Sequence, residues 1–126
     1  MLLDSFAWME YFESTKKGQK VKASLDAAGV AYTSPTVLAE VFSKYARARG
    51  EDDARARVEF ILEQCAVVEE DADVGVEAGR IHAAMKPNVR GFGLADAFIL
   101  AAARARGVRV LTGDPHFAGV EDADML

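Results

Sequence analysis

The chain has 126 residues, 51% of them hydrophobic, and a formal net charge of −5 at pH 7. That length suits one domain, and that apolar content supports a core and excludes a disordered chain. The acidic balance argues against a simple phosphate binder relying on Lys and Arg, and no apolar run approaches the roughly 20 residues of a membrane span.

Residues 1–4 read as a short apolar strand ending in a carboxylate, Asp4, with no signal-peptide pattern before it. Ser5 is a suitable N-cap for a helix over residues 6–13. That helix carries Phe6, Trp8, Met9, Tyr11 and Phe12, and only Glu10 and Glu13 are charged. A surface helix has one apolar stripe. This one is apolar most of the way round, so either two layers of its own fold cover it or part of it meets a second chain. Residues 14–18 form a polar break. A helix over 19–28 follows, with Val21, Leu25 and Ala28 on one side, and Gly29 ends it. Lys16, Lys17, Lys20 and Lys22 cluster at its start, either as a solvated face or as a guide for a polyanion.

A second strand is expected over 30–33. Ser34 and Pro35 then open a helix as cap and first residue, and it runs to Arg49 and stops at Gly50. Val37, Leu38, Val41, Phe42 and Tyr45 follow helical spacing. Glu40 interrupts them, and a carboxylate there is expensive to bury unpaired. Either it pairs with Lys44 one turn on, or it is a metal ligand aimed at the end of the first strand. Residues 51–65 form another amphipathic helix with an acidic first turn. Its core face is Ala54, Val58, Ile61, Leu62 and Cys65. Cys65 is the single cysteine, so there is no internal disulfide, and it reads as an inert thiol in a reducing cytoplasm. Without Cys clusters, and with only His82 and His116, a structural zinc site is not expected.

Residues 66–68 give a third strand and 71–85 a helix with Val74, Ala78, Ile81 and Met85 on one face; His82 beside them reads as helix surface or packing. The loop 86–93 holds Pro87, which stops that helix, and Gly91 and Gly93, which allow close backbone approach. Arg90 is either solvated or placed for a phosphate. From Gly93 the chain is rich in helix formers until Gly107, a C-terminal glycine. Residues 108–111 suit a buried strand, and Thr112-Gly113-Asp114-Pro115 is turn chemistry after it. Asp96 lies in the first helical turn and Asp114 just past the strand. Each also has a plain reading, macrodipole and turn residue respectively. His116 reads as a turn residue near the same place, and the acidic tail 120–126 offers a marginal edge strand.

Strands alternating with helical crossovers predict an α/β fold, a three-layer α/β/α sandwich with a short parallel sheet of four or five strands. Ligand sites in such sheets lie beyond the carboxyl ends of the strands. Asp4, Glu40, Asp96 and Asp114 are all expected at that rim. One like-charged pair at 4 Å costs about 4 kcal/mol at an effective dielectric near 20. Divalent cations relieve this, and oxygen-only ligands favour Mg2+ or Mn2+.

The ordering resembles the PIN-domain family, the nuclease fold of the VapC toxins. The resemblance rests on Met1-Leu2-Leu3-Asp4-Ser5 with its apolar helix, on Ser34 to Val41 around Glu40, and on Gly93-Leu94-Ala95-Asp96-Ala97 through Leu111-Thr112-Gly113-Asp114-Pro115-His116-Phe117. It implies one nuclease domain over 1–126 that cuts RNA, leaving a 3′-hydroxyl and a 5′-phosphate, with one or two Mg2+ or Mn2+ ions. Asp4, Asp96 and Asp114 would be inner ligands. Glu40 would be a ligand, directly or through water, and a proton acceptor. Ser5 and Thr112 would orient the carboxylates. Lys16, Lys17, Lys20, Lys22 and Arg90 would form a basic rim for RNA. The family also implies a homodimer and a small antitoxin, with Phe6, Trp8, Met9, Tyr11 and Phe12 as the docking surface. The segment after Phe117 is short for the family, which leaves the final strand open. So do three other readings stay open: a receiver-type signalling domain, a non-catalytic module of the same fold, and an RNA-processing nuclease without antitoxin. The first fits poorly, because Asp4 is followed by Ser5 and no Lys follows Lys86.

Overall fold

The computed structural model describes all 126 residues. Five short strands, β1 (Leu2–Leu3), β2 (Ala31–Thr33), β3 (Cys65–Val67), β4 (Val110–Thr112) and β5 (Ala123–Met125), form one sheet in the order β3-β2-β1-β4-β5. All four pairings are parallel, so every connection crosses over the sheet. Six helices make the first three crossovers, α1 (Ser5–Phe12), α2 (Lys16–Ala27), α3 (Pro35–Arg49), α4 (Glu51–Gln64), α5 (Ala72–Met85) and α6 (Leu94–Ala105), and a 3-10 turn (Pro115–Phe117) lies in the short link from β4 to β5. This is the expected three-layer α/β/α sandwich at its larger strand count. The acidic tail does form the fifth strand, tied to β4 by Val110 N–H to Asp122 O at 2.8 Å and Leu126 N–H to Thr112 O at 2.7 Å.

The central strand is β1. Leu2 and Leu3 are fully buried and pair with Val110 and Leu111 of β4, and Leu2 also pairs with Tyr32 of β2. The sheet grows from β1 to β2 and β3 on one side and to β4 and β5 on the other. The reversal falls between β1 and β4, where a crevice opens at the carboxyl ends of the strands.

Local chemistry sets the element boundaries, several of them differently from the expectation. Asp4, not Ser5, caps α1: its Oδ1 accepts the Ala7 N–H at 2.8 Å. Helix α2 begins at Lys16, inside the anticipated break, because the Thr15 hydroxyl accepts the Gly18 N–H at 3.0 Å. Gly18 is buried against α1, and a Cβ there would fall 2.0 Å from the Glu10 carbonyl oxygen. Helix α3 has the anticipated frame, Ser34 as cap, Pro35 first and Gly50 after. Strand β4 begins two residues late, since Val108 N–H still bonds Ala103 O at 3.1 Å and so finishes the turn of α6.

The aromatic face of α1 is spent inside the fold. Trp8 is fully buried. It stacks on Phe12 at 5.8 Å and meets Phe60 of α4 edge-on at 6.3 Å, while Phe12 meets Tyr45 of α3 edge-on. Trp8 is therefore a core residue and not part of a docking surface, which corrects that expectation. Its indole N–H and the Thr33 hydroxyl are both buried without a protein partner. Cys65 is half-buried, and burial pushes its thiol up to about 11, which makes it unreactive at neutral pH. No helix is long and apolar enough to cross a membrane.

Candidate metal centre

Asp4 leaves the end of β1 as the cap of α1, and only 2% of it is exposed. The hydroxyl of Thr112, at the end of neighbouring β4, donates to Asp4 Oδ2, and it also accepts the Asp114 N–H at 2.9 Å. One buried threonine thus ties the Asp4 carboxylate to the backbone of Asp114. Burial pushes Asp4 from its ordinary 3.8 up to about 7. The bonds from Thr112 and Ala7 hold it down only in part, and the charges of Asp114 and Glu40 push it further up.

Glu40 comes from the second turn of α3. Its Oε1 accepts the Ser5 hydroxyl at 3.0 Å, so its partner is Ser5 and not Lys44. Burial raises its carboxyl, the Ser5 bond lowers it, and Asp96 and Asp114 raise it again. Those mutual influences place Asp4, Glu40, Asp96 and Asp114 within one electrostatic neighbourhood.

Asp96 is the third residue of α6, and its Oδ2 accepts the Gly93 N–H at 2.8 Å, which closes the helix N-terminus. Asp114 caps the 3-10 turn Pro115–Phe117 by accepting the His116 N–H at 2.9 Å. That turn swings the His116 ring back between the two acids. Its Nδ1 lies 3.3 Å from Asp96 Oδ2 and 3.4 Å from Asp114 Oδ1. Potential ligand atoms of Asp96, Asp114 and His116 all lie within 4.8 Å of one another. Sequence reading puts His116 near this rim as a turn residue but gives it no contact with the two acids. The available signal was Gly91, which has φ 82° and whose Cβ, if present, would stand 2.8 Å from His116 Nε2. The loop glycine makes room for the ring.

The basic residues divide. Lys17 Nζ sits 5.4 Å from the Phe6 ring centroid. Phe6 packs on Gly113, where a Cβ would come 2.5 Å from the ring. Lys17 is thus brought to the rim beside Asp114. Lys22 is paired with Asp26 at 3.2 Å, both exposed. Lys16, Lys20 and Arg90 are exposed, with Arg90 next to Gly91. A groove of about 400 Å³ leads from Ser5 and Glu40 past Met9 to Lys44 and Arg47, two cations absent from the sequence-based rim.

Carboxylates from β1, α3, α6 and the turn after β4, one of them held near neutrality by burial, are a donor set suited to a divalent cation. The PIN domain family profile matches residues 1–123. The chain belongs to the PIN-domain family. Solved structures agree with this PIN fold. One is the toxin-antitoxin complex from Klebsiella pneumoniae, with 20% identity and a TM-score of 0.76 over 98% of this chain and 95% of that chain. Another is VapC20 from Mycobacterium tuberculosis, described as a Sarcin-Ricin loop cleaving toxin, with 21% identity and a TM-score of 0.77 over 96% and 95%. A third is VapBC-1 from nontypeable Haemophilus influenzae, with 14% identity and a TM-score of 0.78 over 99% and 95%. No curated protein matches the sequence. Within the PIN fold, Asp4, Glu40, Asp96 and Asp114 occupy the rim at the β1–β4 reversal.

Proposed function

We propose that this PIN domain, spanning residues 1–126, is a Mg2+- or Mn2+-dependent endoribonuclease and the toxin of a VapBC-type pair. The observation that carries the reading is the gathering of Asp4, Glu40, Asp96 and Asp114 from four separate elements at one strand-end crevice. Asp4, Asp96 and Asp114 each also cap a helix or turn, but capping does not call for four acids to converge. Their mutual repulsion, about 4 kcal/mol for a pair at 4 Å, is offset when cations bind.

Asp4, Asp96 and Asp114 hold one or two ions in this reading, with Glu40 beside them. Bound divalent ions supply a coordinated water of lowered pKa and neutralise charge on the phosphate. The side chains do the rest. Thr112 donates to the Asp4 carboxylate and accepts the Asp114 N–H, which fixes the Asp114 backbone beside Asp4. Ser5 holds Glu40 Oε1 and leaves Oε2 for water. The raised pKa of Glu40 makes it a better proton acceptor than an ordinary carboxylate. Lys17 at one side of the crevice, and Lys44 and Arg47 along the groove, give phosphate oxygens a path that the net charge of −5 conceals.

The toxin-antitoxin complexes among the structural neighbours support an antitoxin partner. Phe6, Met9, Tyr11 and Phe12 remain partly exposed on α1 for it, without Trp8. A homodimer acting in the cytoplasm completes the proposal.

The test is cleavage of a panel of structured RNAs with Mg2+ or Mn2+ by the wild type, Asp4→Asn and Asp96→Asn. The expected result is cutting by the wild type and a loss of about 100-fold or more in both variants, with unchanged circular dichroism. Equal cutting by all three proteins overturns the assignment.

A further inference from the structure

The two outer strands of the sheet are guarded differently. The middle residue of β5 is Asp124, and Arg109, just before β4, holds it at 2.8 Å. A charge at that place is a usual device against unwanted strand pairing. The run Cys65-Ala66-Val67-Val68 on the opposite edge has no charge and no proline. Its only guard is the three-residue length of β3. Ala66 and Val67 are exposed, and no strand lies beyond β3. Val68 N–H donates to Thr33 O of β2 at 2.8 Å. Backbone groups alternate sides along a strand, so the N–H and C=O of Val67 point away from β2. We propose that this edge docks a basic, extended peptide segment of a partner protein, which adds to β3 as a further strand. The inference does not rest on the nuclease reading.

Charge decides the occupant. Residues 58–79 hold seven of the chain's 20 acids and no Lys, Arg or His. The other 13 acids stand against 15 Lys and Arg, so this stretch carries −7 while the rest of the chain carries +2. Of the seven, Glu70 and Asp71 serve as caps, and Glu77 pairs with Arg80 and Arg104. Glu63 and Glu69, which flank β3, are exposed and take part in no ion pair. These two acids exclude a second copy of this chain. Two β3 edges paired antiparallel about Ala66 would bring Glu63 of each towards Glu69 of the other, and like charges opposed across strands are destabilising. A nucleic acid is repelled by the same acids. A segment with β-branched residues at its centre and Lys or Arg at both ends meets every feature of the edge. Its backbone pairs with Val67, its apolar side chains cover exposed surface, and its cations face Glu63 and Glu69.

The probe is a fluorescein-labelled peptide, Lys-Arg-Val-Ile-Val-Arg-Lys, titrated with the intact protein and read by fluorescence anisotropy at physiological salt. One control peptide has Pro in place of the central Ile, and another has Glu and Asp in place of the four cations. The first peptide is expected to bind saturably, and both controls to bind about tenfold more weakly or worse. Val67→Pro removes the outward N–H and leaves the Val68 bond to Thr33 in place. Glu63→Lys combined with Glu69→Lys reverses the flanking charge on two exposed side chains, so the test survives a Val67→Pro protein that fails to fold. Each change is expected to weaken binding about tenfold. No binding, equal binding of the Ile and Pro peptides, or equal binding to the wild type and a folded variant overturns the assignment. So does binding that is lost in Asp4→Asn combined with Asp96→Asn but kept in the β3 variants, which places the peptide in the acid crevice. A dimer of the protein alone that Val67→Pro dissociates in sedimentation gives the edge to a second copy and likewise overturns it.

Discussion

At the scale of single residues, Asp4 concentrates the tension in this molecule. It is a strand end, a helix cap and a crevice acid at once, and burial is the largest influence on it. Its folded value of about 7 lies above its ordinary 3.8. Between those values the folded chain holds a proton that the unfolded chain has released. Stability of the metal-free protein from this group is therefore full below about 4, falls as pH rises towards about 7, and levels off above. Urea midpoints measured at about pH 5 and pH 8 without divalent ions should differ less for Asp4→Asn than for the wild type, and an unchanged difference would exclude Asp4 as the source. How legible were these residues? Glu40 stood out as an acid in an apolar helical stretch, whereas Asp4, Asp96 and Asp114, the last two with plain readings taken singly, stood out only through their expected meeting at one rim of the sheet. Their partners did not. Glu40 meets Ser5 across 35 residues of sequence and not the nearby Lys44. His116 meets Asp96 only because a distant glycine leaves space. Spacing along the chain carries local contacts well and long-range ones hardly at all.

Among the elements, α3 shows how the scaffold holds one of the crevice acids. Ser34 caps it from within, and Glu70 reinforces it from the loop after β3 by accepting the Thr36 N–H at 2.7 Å and the Thr36 hydroxyl at 2.8 Å. A carboxylate there also faces the positive end of the helix dipole. Glu40 sits one turn further along the same helix. Glu70→Ala should cost about 1–2 kcal/mol of stability, read as a lower urea midpoint with unchanged slope. The limits of α3 were readable because Ser34, Pro35 and Gly50 signal locally. Helix α1 was harder. Its composition showed an excess of apolar surface but not what covers it. That answer lies in Phe60 and Tyr45, contributed by α4 and α3. Helix α2 likewise starts early through the Thr15 cap and the contact of Gly18 with the Glu10 carbonyl, and only the second of these is invisible in sequence.

For the whole molecule, the acid crevice and the parallel sheet trade stability against each other. Four acids meet where β1 and β4 part, and binding of divalent ions to the folded chain alone must stabilise it. At ion concentrations about 100-fold above the dissociation constant the gain is about 2.7 kcal/mol, which raises the melting temperature by roughly 10 °C for a chain of this size. A thermal scan with and without Mn2+ measures this, and Asp4→Asn combined with Asp96→Asn should abolish most of the rise. The fold class and the strand count were readable from alternating strand and helix signals. The sheet order was not, since it depends on which strands find each other after long crossovers.

That order has a consequence for how the chain is made. The second and third residues lie between strands contributed by the thirties and by Val110 and Leu111. The hydroxyl that secures Asp4 is 108 positions downstream. Emerging from the ribosome, the amino-terminal strand must therefore wait for nearly the entire polypeptide before it gains its second neighbour. In a nascent or truncated chain Asp4 therefore lacks its threonine, and the acid crevice is assembled only when translation of this message is all but finished.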